Sequence, residues 1–237
     1  WMAVWWITEA MPLPVTSLLP IIFLPLVAHL PFKQVLAPFA GPIIFLFLGG
    51  FIISLAMQKW NLHVRIGLRI LRTIGVGGKS ILAGLMIATS FMGMWMSNTA
   101  TCIMMLPMAL SMAQLLGSNK GNNHLTKALV LGVAYGAVIG GLSTFVGTPT
   151  NAILQGHLSK QYGYELNLSE WMLFGVPLML IMLTFSWALL SARFMRHAEV
   201  HDDVRSHIKT AYAKLGNMAK EERLVFMVFV LVATLWA

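Results

Sequence analysis

The sequence has 237 residues, of which 58% are hydrophobic and only 10% are charged. A soluble domain carries about 25% charged residues, so this composition indicates an all-α polytopic membrane protein. The formal net charge of +8 does not indicate a nucleic-acid partner, because the basic residues lie between apolar segments, as the positive-inside rule requires. The single cysteine, Cys102, excludes an internal disulfide and a multi-cysteine metal site.

Residues 1–58 predict transmembrane helices, with Pro12 and Pro14 interrupting helix propagation early in this segment. The sequence begins within one apolar segment and closes within another, residues 223–237. We therefore expect it to be a fragment of a longer transporter.

Residues 59–78 predict an amphipathic helix that lies at the membrane surface. Arg65, Arg69 and Arg72 are spaced by four and three residues, so they share one face of a helix. Apolar residues alternate with these arginines, which is typical of a helix in the plane of the interface.

The apolar run 79–117 is split by the polar residues Ser97, Asn98 and Thr99. Short polar side chains in the middle of such a run are unfavourable in lipid unless they face protein, water or a ligand. Each arm has roughly 17–19 residues, near the lower limit for a span. The run is therefore either two short transmembrane helices or a re-entrant hairpin whose tip stops within the bilayer.

A second polar break, which includes Gly147, interrupts residues 118–160 and predicts a discontinuous transmembrane helix. Residues 161–196 predict a short loop followed by one more transmembrane helix. We expect the two breaks to meet and to form a binding site within the membrane.

The basic residues predict the orientation. They concentrate around the amphipathic segment, in the loop after the split run, and in a polar connector, residues 197–222; only Lys33 and Lys160 lie in other loops. If the split run leaves and returns on one side of the membrane, all three groups are cytoplasmic. A single straight span there would scatter the charges across both sides.

Both breaks suit the start of a helix. Ser97, Asn98 and Thr99 are good N-caps, while Thr148 can cap the second helix and Pro149 fits its first position. A helix start presents unpaired N–H groups and a positive dipole end, which suit a carboxylate, sulfate or phosphate. Unwound carbonyls and hydroxyls at the same breaks can ligate a hard cation such as sodium.

A purely structural interpretation of each break is also open, since Ser and Thr commonly bond back to their own helix and Gly-Pro breaks are often kinks. Two breaks rich in capping residues favour a site.

No acidic residue lies between Glu9 and Glu165, so we expect no proton relay through Asp or Glu there. Neutral oxygens and N–H dipoles can hold Na⁺ and an anion together, since each offsets the other's charge.

Four segments carry a likeness to a known family: 5–10 (WWITEA), 44–51 (IFLFLGGF), 94–101 (MWMSNTAT) and 147–151 (GTPTN). Together they resemble the divalent anion/sodium symporter (DASS) family of di- and tricarboxylate and sulfate transporters. The likeness covers nearly the whole chain, and the Ser-Asn-Thr signature with its apolar flanks is its most specific part.

The resemblance implies one half of an inverted-repeat transporter that is dimeric and works by elevator-type alternating access. Residues 1–58 would then be scaffold helices, and residues 59–78 an arm that links scaffold and transport domain. Residues 79–117 would be a re-entrant hairpin that enters from the cytoplasmic side, with the Ser-Asn-Thr signature at its tip. Residues 223–237 would be the truncated start of the second repeat.

The resemblance also implies a site. Ser97, Asn98 and the Gly147 carbonyl would bind one sodium ion. Family members can have a serine where this chain has Gly93, so only the Gly93 carbonyl could add a ligand. Asn98 and Thr99 would contact a substrate carboxylate. The full set of expected substrate-binding residues is Ser97, Asn98, Thr99, Thr148 and Pro149.

We therefore expect a multi-pass protein of the cell inner (plasma) membrane that imports a divalent anion, a C4-dicarboxylate first of all, with Na⁺ as the co-ion and no organic cofactor. A sodium-independent exchanger of the same fold, and sulfate or a tricarboxylate as substrate, stay open. A pore or a structural membrane module is the non-transport alternative. We expect no enzyme, because no Ser-His, metal-His or paired-Asp arrangement falls in the spans.

Overall fold

The structure, a computed structural model, describes residues 1–75, 77–116, 123–164, 166–195 and 202–236. These ranges form α-helices joined by turns, with one 3-10 turn at Ala37–Ala40. The α-helices in chain order are α1 (Met2–Thr8), α2 (Leu13–Val27), α3 (Phe32–Leu36), α4 (Pro42–Lys59), α5 (Leu62–Ile74), α6 (Gly78–Gly93), α7 (Asn98–Leu115), α8 (Asn123–Gly141), α9 (Pro149–Tyr162), α10 (Leu168–Phe194), α11 (Asp202–Lys214) and α12 (Lys220–Trp236).

The chain divides into two compact units, Trp1–Leu48 and Gly49–Ala237. In the first unit, α2 packs against α1 and α3. Proline stands in the first turn of α2, where its missing N–H is not needed, and Pro20 and Pro25 lie inside the helix.

In the second unit, α6 and α8 lie at the centre, and α5, α7 and α10 pack around them. Ile81 and Leu85 of α6, Leu129 of α8 and Met105 of α7 are almost completely buried in this core. The two helices that carry the polar breaks at their ends are therefore held by the best-packed part of the chain.

Three helical segments of the described chain are long and apolar enough to cross a membrane: Phe32–Lys59, His124–Gly141 and Leu168–Phe194. The apolar surface of α10 is largely exposed, with Ile181 at 67% and Phe185 at 68%. Lipid tails suit such a surface better than water does. The predicted all-helical membrane class is confirmed.

The amphipathic pattern of residues 59–78 forms α5. It ends before Gly75, whose φ of 115° is a backbone conformation that favours glycine. Arg69 and Arg72 are exposed as the pattern indicated, but Arg65 is buried. Arg65 does not face headgroups, because Glu222 at the start of α12 covers it and pairs with it.

The connector predicted at residues 197–222 contains α11 and the start of α12. The described residues leave out 197–201 of this connector and 118–122 of the loop predicted after the split run.

α10 begins at a capping box, in which the Glu170 carboxylate accepts from the Asn167 N–H at 3.1 Å.

Candidate functional site

The first break separates α6 from α7. α6 ends at Gly93, and α7 begins at Asn98 with Ser97 as its N-cap. The Ser97 hydroxyl oxygen accepts a hydrogen bond from the Ala100 N–H at 3.3 Å. The predicted helix start at these residues is confirmed, and its cause is the local capping chemistry of serine.

The second break separates α8 from α9. α8 ends at Gly141, and α9 begins at Pro149 after the N-cap residue Thr148. Pro149 takes the first helical position, as predicted. The Thr148 hydroxyl makes no capping bond. It lies instead 3.4 Å from the hydroxyl of Thr150. Thr148 therefore has the extended backbone of an N-cap residue but makes no side-chain hydrogen bond to the first turn of α9.

The two breaks touch each other, as the sequence predicted. The Thr144 hydroxyl donates to the Met94 carbonyl and accepts from the Gly147 N–H at 3.1 Å. A Cβ built on Gly147 would lie 2.5 Å from the Gly93 carbonyl oxygen and 2.7 Å from the Gly141 Cα. Only glycine allows so close an approach of three backbone segments.

The Asn98 side chain lies at this junction. A Cβ built on Gly141 would be 2.4 Å from Asn98 Oδ1 and 3.3 Å from the Gly147 carbonyl oxygen, so both oxygens lie near the same point. Asn98 Oδ1 is buried, and no described residue donates a hydrogen bond to it. Leaving a buried acceptor unpaired costs about 1–3 kcal/mol, so this oxygen is available to a ligand.

The oxygens at the junction suit an alkali cation. Asn98 Oδ1 and the carbonyls of Gly93 and Gly147 are neutral, hard ligands of the kind that broken transmembrane helices offer to sodium. The described residues contain no group of three or more His, Cys, Asp or Glu side chains that could hold a metal ion. The donor set therefore fits sodium better than a transition metal.

The anion-binding side of the junction is more open. Ser97 and Asn98 are half-buried, and Thr99 and Pro149 are exposed. The amino ends of α7 and α9 both start at this junction. Two positive dipole ends and their unpaired N–H groups favour an anion at this place.

Sequence reasoning did not assign a role to Asn151, which organises the second break. Its Nδ2 donates to the carbonyls of Gly141, Leu142 and Thr144, at 3.2, 3.2 and 2.8 Å. Trp171 of α10 adds a bond from Nε1 to the Leu142 carbonyl at 3.0 Å. The sequence feature that could have identified Asn151 is an amide side chain in the first turn after a Gly-Thr-Pro break. These bonds fix the unwound carbonyls.

A stripe of glycines holds α8 against α6. Gly132, Gly136 and Gly140 are spaced by four residues, and a Cβ on Gly140 would lie 2.2 Å from the Ser90 carbonyl oxygen. The Ser90 hydroxyl donates to the Gly136 carbonyl at 2.9 Å. Small residues at this spacing bring membrane helices into close contact. The sequence shows these glycines at every fourth residue, but no prediction was drawn from them.

A membrane protein in which two interrupted helical segments meet at such a junction has the features of a transporter. Comparison with known proteins agrees, since residues 3–237 match the family model described as citrate transporter. The chain is 41% identical over 244 residues to the sodium-dependent dicarboxylate transporter SdcS of Staphylococcus aureus, in strain USA300 and equally in strain NCTC 8325. The match covers 100% of this chain and 47% of each relative.

The chain therefore belongs to the citrate transporter family. The resemblance to the divalent anion/sodium symporters is confirmed. The chain spans about half the length of the curated relatives it matches.

Proposed function

We propose that the full-length protein containing this chain is a sodium-coupled carrier of a divalent anion, with a C4-dicarboxylate as its substrate. The observation that carries the proposal is the buried, unpaired Asn98 Oδ1 at the junction of the two breaks. The relatives at 41% identity are sodium-dependent dicarboxylate transporters, which supports the same coupling ion and substrate class here. They are not enzymes by name, which supports a transport role rather than a catalytic one.

The sodium ion takes Asn98 Oδ1, the carbonyls of Gly93 and Gly147, and Ser97 as ligands. Support comes from the close approach of these backbone segments. The anion takes the open side, where Ser97, Asn98, Thr99, Thr148 and Pro149 begin α7 and α9. Asn98 bridges the two ligands, because its amide offers an oxygen to the cation and an N–H₂ to a carboxylate.

Coupling follows from this shared residue and from charge. A sodium ion bound beside the helix starts adds to the positive potential that a carboxylate meets, and the carboxylate in turn stabilises the sodium ion. Each ligand therefore raises the affinity for the other. Among the described residues no carboxylate contacts the junction, so the cation's charge is left for the substrate to balance.

The hairpin alternative for residues 79–117 has support from helix length. α6 has 16 residues and α7 has 18. At 1.5 Å per residue α6 rises about 24 Å, less than the roughly 30 Å of a hydrocarbon core, and α7, at about 27 Å, is near the lower limit for a span. A re-entrant pair whose tip carries Ser97 inside the bilayer fits these lengths.

The remaining architecture follows the family. Residues 1–58 are scaffold helices, residues 59–78 are the surface arm, and residues 118–160 and 161–196 complete one repeat of an inverted pair. The connector 197–222 is cytoplasmic, and residues 223–237 begin the next repeat. The protein works as a homodimer in the cell inner membrane by alternating access.

The test is uptake by the full-length protein in liposomes. Labelled succinate, a C4-dicarboxylate, should accumulate when an inward sodium gradient is imposed and not when choline replaces sodium. Counterflow should saturate with succinate. Exchange at the same rate with sodium and with choline would favour the sodium-independent exchanger. A flux that does not saturate with succinate would favour a pore. Inhibition by citrate or sulfate tests the other substrate classes, of which citrate has the support of the family's description.

A further inference from the structure

Thr101 has a buried hydroxyl that the fold does not use. The residue is 0% exposed, and its Oγ1 has no hydrogen-bond partner among the described residues. A helical threonine usually donates to the carbonyl four residues earlier. Thr89 of α6 does so, with its Oγ1 2.7 Å from the Leu85 carbonyl oxygen and the same 0% exposure. Thr16 of α2 is equally buried and its hydroxyl is also unpaired, so the unpaired state alone does not distinguish Thr101, whereas its position relative to Asn98 does.

The position of Thr101 connects this hydroxyl with the junction. It lies three residues after Asn98 on α7, so the two side chains share one face of the helix. Their Cβ atoms are about 5–6 Å apart in such a pair. Both side chains carry a buried oxygen without a partner. Two such oxygens about one helical turn apart are placed to offer lone pairs to one shared ligand, as a cation requires.

We propose that Thr101 is a further residue of the sodium site, where its Oγ1 and Asn98 Oδ1 ligate the same cation. This inference rests on the proposed function. A hydroxyl oxygen is a hard, neutral ligand, so it adds to the coordination of sodium without adding charge that would repel the anion. Gly93 offers only a carbonyl at the neighbouring position, and Thr101 supplies a side-chain oxygen from the other helix of the split run.

The test compares side chains that keep or remove the hydroxyl in the full-length protein. Thr101→Val has nearly the same shape and lacks Oγ1, whereas Thr101→Ser keeps it. We expect Thr101→Val to raise the sodium concentration for half-maximal succinate uptake about tenfold, the loss that one bond to a charged group predicts. Thr101→Ser should stay close to the wild type. Thr89→Val is the matched control, with equal burial, and should leave the sodium response unchanged.

A second readout is the rise in unfolding temperature when sodium is added without succinate. It should be present in the wild type and in Thr101→Ser and reduced in Thr101→Val. If Thr101→Val does not fold, Thr101→Ala against Thr101→Ser gives the same comparison. An unchanged sodium response in the variant lacking the hydroxyl overturns the role of Thr101 and leaves the proposed function standing. A wild type that does not respond to sodium in either assay overturns the proposed function itself.

Discussion

Arg65 of α5 and Glu222 of α12 form a buried ion pair with two parallel contacts. Arg65 Nε lies 2.5 Å from Glu222 Oε1, and Nη2 lies 3.0 Å from Oε2. The guanidinium also donates to the carbonyls of Gly216 and Leu215, at 3.0 and 3.2 Å. The hydrogen bond to Glu222 raises the pKa of Arg65 above its ordinary value. The pair therefore ties α5 to the connector and to the start of α12.

Removing one partner of this pair should destabilise the protein strongly. Arg65→Met leaves the Glu222 carboxylate buried without its cation, and Glu222→Met leaves the guanidinium, at a cost of about 3–5 kcal/mol each. The double variant should lose much less than the sum, because no unpaired charge remains. Unfolding of the purified protein in detergent measures the three free energies. Arg69→Gln, at an exposed position, is the control, and strictly additive losses would contradict the pairing.

His63 should make stability depend on pH. Burial lowers its pKa from 6.5, against the opposing effect of the contact between its Nδ1 and the Met57 carbonyl oxygen at 3.2 Å. Below pH 6.5 the unfolded chain takes up a proton that the folded chain resists, so the free energy of unfolding falls as pH drops from 6.5 to the lowered pKa. Below that pKa both states are protonated and the loss stops.

Thermal unfolding across this pH range measures the effect. His63→Asn, which keeps a nitrogen donor and does not titrate in this range, should flatten the dependence. His157→Asn, at an exposed position of α9, should not change it. A pH dependence that is the same in all three proteins would assign it to other groups.

The sequence predicted those features that local chemistry decides. Capping residues and a proline mark the starts of α7 and α9, and both starts lie where predicted, because a cap acts within one turn of its own helix. The burial of Arg65 could not be predicted. Periodicity identifies the face on which a residue lies but not the segment that covers it, and Glu222 is 157 residues away. The donor role of Asn151 depends in the same way on where the break folds back.

The packing of α8 on α6 should not tolerate a side chain at Gly140. A Cβ there would lie 2.2 Å from the Ser90 carbonyl oxygen and 2.7 Å from its Cα, and backbone atoms cannot rotate away. We expect Gly140→Ala to cost about 1–3 kcal/mol or more. Gly49→Ala is the control, because a Cβ there meets nothing within 4 Å. Equal unfolding temperatures for the two variants would contradict the close approach of the helices.

Gly141→Ala tests the contact between the second break and Asn98. The added Cβ would lie 2.4 Å from Asn98 Oδ1, so this flexible side chain must turn away. We expect the variant to fold and to require at least about tenfold more sodium for half-maximal uptake, since a ligand oxygen is displaced. Sodium titration of uptake in liposomes measures this. A wild-type titration curve would show that the Asn98 oxygen at this place does not bind sodium.

The most direct measurement of the central claim is sodium-dependent succinate uptake by Asn98→Asp in the full-length protein. The aspartate adds a negative charge where a carboxylate must bind, and two like charges 4 Å apart repel by about 4 kcal/mol at an intermediate dielectric constant. We predict a folded, monodisperse protein that has lost uptake, while Ser111→Ala, farther along α7, transports normally. Normal uptake by Asn98→Asp with an unchanged sodium response would contradict a sodium and anion site at the junction of the two breaks.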